Sequence, residues 1–165
     1  MQFRRADGAD ISQMINMRLA YLSEDYDGLT EEQTSAIKSQ LSDYFKKHLN
    51  QDLIVFVCED GNAIVSTVFL LIVERPANPG YITGLTGTIL NVYTLPQYRK
   101  RGLAGSLMKM AIEEAKCRNL SYLDLKATQA GYSLYRKLGF APDESKYVSM
   151  KYIVNQNSQG DIIDT

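Results

Sequence analysis

Residues 98–105 read Tyr98-Arg99-Lys100-Arg101-Gly102-Leu103-Ala104-Gly105, a basic turn between a strand-like segment and an amphipathic one. Leucines and alanines recur at helical spacing after the turn, which predicts a helix over Leu103–Cys117. The N–H groups in the first turn of a helix have no partner within the helix, and with the helix dipole they attract anions. Small residues at 102, 104 and 105 let an anion approach the backbone. The stretch therefore indicates either an anion site or a basic helix start on a solvated face.

A second block lies further along the chain, Leu134-Tyr135-Arg136-Lys137-Leu138-Gly139-Phe140. Together with residues 90–104 it resembles the GNAT superfamily of acyl-CoA-dependent N-acetyltransferases. That signature is a strand ending near Val-x-Pro, then Gln/Arg-x-x-Gly-x-Gly/Ala into a helix, a further strand, and Leu-Tyr-x-x-x-Gly-Phe at a helix end. Here the first block contains Val92, Pro96, Gly102 and Ala104, and both blocks occur in order.

The element order read from the sequence is β-α-α-β-β-β-α-β-α-β, which predicts a mixed sheet with helices on both faces. The resemblance implies the same α/β fold, with a mostly antiparallel central sheet. Residues 3–6, 53–59, 62–74, 88–94, 122–127 and 146–154 are predicted strands, and residues 131–138 a short helix. Thr30 with Gln33 matches a capping box before another helix. Near-continuous apolar runs in 53–59 and 62–74 predict strands buried on both faces.

The resemblance implies acetyl-CoA as co-substrate and no metal. Val92 and Thr94 on the fourth strand would pair their backbones with the pantetheine arm, and core packing explains their side chains in either case. The implied pyrophosphate site consists of Arg99, Lys100, Arg101, Gly102, Leu103, Ala104 and Gly105. Thr128 falls where some relatives have a polar cofactor contact, although a helix cap explains it equally well.

Two side chains are candidates for proton transfer. Tyr135 matches the tyrosine that, in the family, protonates the departing coenzyme A thiolate, and its alternative is an ordinary core tyrosine. Many members carry a glutamate base on the fourth or fifth strand, but here the fourth strand has no acid. Asp124 on the fifth strand can serve as a base directly or through water, or it is simply a solvated strand residue.

The acceptor site implied by the family lies between the first two helices and the loop before the fourth strand. Glu24, Asp25 and Asp27 form an acidic stretch, predicted to be a loop, that can attract a cationic amine or only face solvent. Arg18 lies on the apolar stripe of the first helix, where it binds an anionic substrate group or extends its charge to water. Two further candidates for the acceptor channel are Tyr81 and Tyr93.

The composition is that of an ordinary globular protein: 165 residues, 45% hydrophobic, 22% charged, with a net charge of -1. We expect one domain over residues 1–154 and a mobile tail over 155–165. The net charge predicts no general attraction to nucleic acid or membrane. Cys58 and Cys117 lack metal-site spacing and suit free thiols in the cytoplasm. No signal peptide is recognisable, and no apolar run approaches the roughly 18 residues of a membrane span.

The leading hypothesis is a cytoplasmic N-acetyltransferase in which a small primary amine attacks acetyl-CoA directly in a ternary complex. One alternative is a non-catalytic acyl-CoA-binding sensor, which the missing fourth-strand acid keeps open. Another is a module that binds a different nucleotide, which is disfavoured because Gly-Lys-Ser/Thr and Gly-x-Gly-x-x-Gly patterns are lacking. The acceptor's identity and the oligomeric state, with a homodimer as one option, stay open.

Overall fold

In a computed structural model, which describes residues 1–155, five strands form one sheet. The strands are β1 (Gln2–Arg5), β2 (Leu53–Asp60), β3 (Ala63–Glu74), β4 (Leu85–Thr94) and β5 (Leu123–Asp124). The helices are α1 (Ile11–Asp25), α2 (Glu31–His48), α3 (Leu103–Cys117) and α4 (Tyr132–Lys137). The sheet order follows the chain, and every pairing is antiparallel except that of β4 with β5, which is parallel. The predicted mixed, mostly antiparallel sheet is confirmed.

Two apolar cores lie on opposite faces of the sheet, and the central strands supply both. In β2, Leu53, Val55 and Val57 pack with α1 and α2, whereas Ile54 and Phe56 pack with α3 and α4. Successive side chains of a strand point to opposite faces, so a strand covered on both sides must be apolar at nearly every position. The apolar runs in 53–59 and 62–74 are therefore continuous because both faces of these strands are buried, as predicted.

A β-bulge interrupts β4 where the strand approaches the helix start of α3. Thr67 of β3 pairs with Tyr93, and Phe69 pairs with Leu90, so β4 carries one extra residue in this interval. Asn91 lies in the interval with φ of 50°, in the left-handed region. Beyond the pairs that Gly87 and Thr88 make with β5, residues 89–94 of β4 have no strand partner on that side within the described chain. A cleft therefore opens between β4 and β5.

The C-terminal strand predicted for residues 146–154 is wrong, since the structure shows no strand there. Val148 and Met150 are 87% and 93% exposed, and none of the segment pairs with the sheet. Alternating β-branched and aromatic residues favour an extended backbone, but a strand also requires a free edge to pair with. The neighbouring β5 is only Leu123–Asp124, shorter than the predicted 122–127, and offers too little edge. Of the predicted mobile tail, residues 156–165 lie outside the described part.

The acidic stretch predicted as a loop is partly helical, because α1 continues through Asp25 and Tyr26 N–H still bonds to the Leu22 carbonyl. Acids at a helix C-terminus oppose the helix dipole, so a helix that continues through Asp25 needs compensating charge from elsewhere in the fold. In the folded protein, Arg99 compensates the charge of Glu24, since Arg99 Nη2 lies 2.7 Å from Glu24 Oε2. The Thr30–Gln33 capping box, in contrast, is confirmed in both hydrogen bonds. None of the helices among residues 1–155 is both long and apolar enough to cross a membrane.

A partly buried ion pair joins β1 to the start of α1. Asp10 accepts hydrogen bonds from Arg4 Nη1 at 2.7 Å and Nη2 at 2.9 Å, and this pairing lowers the pKa of Asp10. We expect Asp10→Asn to reduce the free energy of unfolding at pH 7 by about 1.5–3 kcal/mol, the range for hydrogen bonds to charged groups. The control is Asp43→Asn, on an exposed position of α2.

This effect should depend on pH in one direction. Because the pKa of Asp10 is lower in the folded than in the unfolded protein, its contribution is complete above the unfolded value of about 3.9. This contribution to stability is lost as the pH falls through the pKa that Asp10 has in the folded protein. Urea unfolding at pH 7 and at pH 3 should therefore show a smaller difference between Asp10→Asn and wild type at pH 3. An equal difference at both pH values would show that the ion pair does not stabilise the fold.

Candidate functional site

A cavity of about 590 Å³ lies between the end of α1, the second half of β4, the start of α3, and α4. It brings together most of the residues predicted from the sequence. Those on its wall are Glu24, Asp25, Val92, Tyr93, Thr94, Arg99, Lys100, Gly102, Leu103, Ala104, Gly105, Thr128 and Tyr135. Segments far apart in the chain thus meet at one place, as the resemblance implied.

The start of α3 opens onto this cavity without a side-chain cap. Gly102 precedes the helix with φ of 77°, in the left-handed region, and a Cβ built there would have no atom within 4 Å. Among residues 1–155, the N–H groups of Leu103, Ala104 and Gly105 donate no hydrogen bond. A helix start with free donors, a glycine and open space in front fits a phosphate or another anion.

The three cations of the turn have different surroundings. Arg99 Nη2 pairs with Glu24 at 2.7 Å, and its Nε donates to the Thr94 carbonyl at 2.9 Å. Arg101 donates to the Gln97 carbonyl and stacks on a tyrosine, and its side chain is not on the cavity wall. Lys100, with φ of 61°, lies on the wall and has no salt bridge within the described residues. Lys100 is thus the cation of this turn best placed for an anion in the cavity.

Tyr135, in the second half of α4, also lines this cavity. Its side chain is buried, and burial raises the pKa of its phenol. The ring lies against the backbone of Gly131, where a Cβ would come within 2.8 Å of it. Its hydroxyl makes no hydrogen bond to the described residues, so it can contact a molecule in the cavity. Gly131, which sequence reasoning missed, makes room for this ring.

Aromatic and acidic side chains form the end of the cavity next to α1. The rings of Tyr21 and Tyr93 meet edge to face with centroids 6.1 Å apart. Tyr93 Oη donates to Glu24 at 3.3 Å, while the hydrogen bond from Arg99 lowers the pKa of Glu24. Tyr21 was missed by sequence reasoning, although it lies three residues after Arg18 and therefore on the same face of α1.

Two predicted residues lie in a different cavity. Tyr81 and Asp124 line a space of about 990 Å³ between the loop before β4, β5, α4 and residues 140–147. Tyr135 lines both the first and the second cavity, whereas Asp124 is exposed and does not line the first. The role of Asp124 as a base therefore stays a prediction, and Tyr81 is not brought together with Tyr93.

Arg18 and Thr128 have partners that the sequence left open. Arg18 extends from α1 to β4, where its Nη1 donates to Asn91 Oδ1 at 3.3 Å. Thr128 Oγ1 accepts a hydrogen bond from Gly131 N–H at 3.2 Å, which makes it a cap of the turn before α4. Because Thr128 also lies on the wall of the first cavity, the cap does not exclude a contact to a cofactor.

Comparison with known proteins agrees with this arrangement. Residues 51–142 match the model of the acetyltransferase (GNAT) domain. The chain is 30% identical over 142 residues to an uncharacterized N-acetyltransferase of Archaeoglobus fulgidus, covering 82% of this chain and 88% of that protein.

Two crystal structures are similar over nearly the whole chain. One is a predicted acetyltransferase of Clostridium acetobutylicum with acetyl-CoA, at 28% identity and a TM-score of 0.80, covering 91% of this chain and 95% of the other. The other is a GCN5-related N-acetyltransferase of Ralstonia eutropha, at 26% identity and a TM-score of 0.76, covering 90% and 97%.

Proposed function

This chain belongs to the GNAT family of acetyltransferases, and we propose that it transfers the acetyl group of acetyl-CoA to a primary amine. The observation that carries this proposal is the uncapped start of α3, which opens onto the same cavity as the buried Tyr135. An anion site and a phenolic proton donor in one cavity suit a phosphate-bearing thioester. The similar Clostridium acetobutylicum structure, which contains acetyl-CoA, supports the choice of co-substrate.

The geometry fits coenzyme A at three places. The free N–H groups of Leu103, Ala104 and Gly105 would bind the pyrophosphate, with Lys100 beside them. The unpaired edge of β4 over residues 89–94 offers backbone groups to the pantetheine amides, as an added strand would. Free N–H groups on that edge would also donate to the oxygen that becomes negative during transfer.

In the proposed reaction the amine nitrogen forms a bond to the acetyl carbon, and the bond from that carbon to sulfur breaks. The amine loses a proton to water, which can pass it on to Asp124 outside the first cavity, and the thiolate gains one from Tyr135, which is reprotonated from solvent. Burial raises the pKa of Tyr135, so its phenol is protonated at neutral pH and able to donate. Cys58 is buried in the core and Cys117 lies at the end of α3, so neither cysteine lines the cavity. This supports direct transfer in a ternary complex, without a thiol intermediate.

The test is release of coenzyme A thiol from acetyl-CoA in the presence of a panel of amines. Turnover with any amine, together with mass spectrometry of its N-acetyl product, would support the proposal. Calorimetric binding of acetyl-CoA without turnover on any amine would favour the non-catalytic sensor instead. The free cysteines suit a reducing compartment, so we propose a cytoplasmic location.

The acids at the end of α1 provide a prediction about the acceptor. Glu24 and Asp25 lie on the cavity wall, whereas Asp27 of the same acidic stretch does not. We expect Glu24→Gln with Asp25→Asn to raise the KM of a cationic amine about three- to tenfold, since exposed charge pairs contribute up to about 1 kcal/mol each. The affinity for coenzyme A should stay nearly constant.

Asp27→Asn is the matched control, because asparagine tolerates the left-handed backbone at this position, where φ is 54°. It should leave the acceptor KM unchanged. The wild-type KM should also rise with salt, as expected for attraction between exposed charges. If Asp27→Asn and the double variant raise the KM equally, the acids act only through the net charge of the surface.

A further inference from the structure

Arg18 is a partly buried cation without an acidic partner. Its guanidinium carries five N–H donors, and within residues 1–155 it makes one hydrogen bond, the 3.3 Å bond to Asn91 Oδ1. It also lies over the ring of Tyr21, with Cζ 5.6 Å from the ring centroid. Arg18 takes part in none of the ion pairs among the described residues. Most of its donors are therefore available to another group.

The surroundings of Arg18 make this arrangement unfavourable in the free protein. Burial lowers the pKa of Arg18, which means that the removal of water from the guanidinium outweighs the attraction of the nearby groups. A partly buried charge normally has an ionic partner, because desolvation is otherwise uncompensated. One neutral amide oxygen is a weak substitute for a carboxylate. An incoming anion would supply the missing partner.

The hydrogen bonds of Asn91 hold Arg18 beside β4, next to the cavity, although neither Arg18 nor Asn91 is on the cavity wall. Asn91 Nδ2 donates to Thr67 Oγ1 at 3.0 Å, and this bond orients the amide so that its oxygen faces Arg18. Asn91 occupies the bulge of β4, immediately before the residues of that strand that line the cavity. Arg18 is thereby attached to the place where β4 separates from β5.

The other charges at this end of the cavity are already balanced or negative. Arg99 is neutralised by Glu24 at 2.7 Å, and Asp25 lies on the wall without an ion pair within the described chain. Tyr21, which Arg18 covers, lies on the wall and touches the ring of Tyr93. The cation of Arg18, which stacks on the wall residue Tyr21, and the carboxylate of Asp25 on the wall suit a small molecule that bears both an anionic group and an amine.

We propose that the acceptor is an amino acid, whose carboxylate binds to Arg18 while its amine faces the thioester. This inference rests on the proposed acetyl transfer. A planar guanidinium matches a carboxylate with two parallel hydrogen bonds, which an amide in the same place does not accept equally well. The rings of Tyr21 and Tyr93 would pack against the remainder of the molecule.

The test compares each of the common amino acids with its carboxamide, using acetyl-CoA and thiol release, and reports the ratio of the two kcat/KM values. For the best acceptor we expect wild type to prefer the carboxylate by about tenfold or more, the size of one charge-assisted hydrogen bond. Arg18→Met should reduce this ratio to near one, and Arg18→Lys should retain part of it. A purely structural role would change stability or all substrates alike and leave the ratio unaltered.

The matched control is Arg75→Met, because Arg75 also stacks on a tyrosine with Cζ 5.6 Å from the ring centroid, but away from the first cavity. It should keep the wild-type ratio. A wild-type enzyme that acetylates amines without preferring carboxylates, or an unchanged ratio in Arg18→Met, would overturn this inference and leave the acetyl transfer standing. Absence of thiol release from every amine, carboxylate-bearing or not, would overturn both.

Discussion

Replacement of Gly102 by glutamate is expected to abolish coenzyme A binding in a protein that still folds. The backbone at Gly102 has φ of 77°, and the space in front of its Cα is open towards the cavity. A glutamate side chain would therefore extend without a clash into the region where we place the pyrophosphate. Its carboxylate would occupy the free N–H groups of α3 and repel the phosphates. Calorimetry with coenzyme A should show no measurable binding.

The control must separate charge from backbone strain, since a non-glycine residue in the left-handed region costs about 1–2 kcal/mol. Gly61, in the turn between β2 and β3, has φ of 62° and equally open surroundings. Gly61→Glu carries the same strain and charge at a position that is not on the cavity wall, and should bind coenzyme A normally. Gly102→Asn, which tolerates this backbone without a charge, should bind more tightly than Gly102→Glu. Normal affinity in a folded Gly102→Glu protein would show that coenzyme A binds elsewhere.

Replacement of Tyr135 by phenylalanine is expected to reduce kcat by about 10²–10⁴, the usual contribution of a general acid. The ring would stay in place, because it is held by the core and lies edge to face with Phe140 at 6.1 Å between centroids. The variant loses only the proton that would neutralise the departing thiolate. Stopped-flow or steady-state thiol release, with an amine found in the panel, measures the loss. The affinity for acetyl-CoA should stay close to that of wild type.

Tyr132→Phe is the matched control, because Tyr132 belongs to the same helix α4 but is 50% exposed and does not line the first cavity. It should turn over at the wild-type rate. If single-turnover measurements show that the chemical step is as fast in Tyr135→Phe as in wild type, Tyr135 is a core residue and water protonates the thiolate. The comparison at the single-turnover level excludes a masking effect of slow product release.

The elements predicted best are those that depend on neighbours in the chain. The helix α3 begins and ends where the sequence predicted, Leu103–Cys117, because Gly102 permits the left-handed turn and the apolar stripe has a helical period. The capping box at Thr30 and the hairpin of β2 and β3 have similarly local causes. Most residues on the wall of the first cavity were also predicted, since the GNAT signature describes which segments meet.

The features that the sequence did not reveal, including the wrong strand at residues 146–154, concern interactions between distant segments. Nothing near residues 146–154 reveals that β5 is too short to pair with them. The ion pair of Glu24 with Arg99 joins residues from α1 and from the turn before α3, and it redirects an arginine that the sequence assigned to phosphate. Asp124 shares the second cavity with Tyr135 but does not line the first, and this likewise depends on how β5 and α4 pack.

By itself, the sequence determined the helix start at Gly102, the alternation of helices and strands, and the membership of the GNAT family, because each follows from local backbone preference or from a contiguous motif. Only the tertiary structure decided the surroundings of Arg18, its approach to Asn91 and its lack of an acidic partner among residues 1–155. The physical reason is that the charge balance of a side chain is set by every segment packed against it. Such a balance depends on distances in space, which no spacing along the chain records.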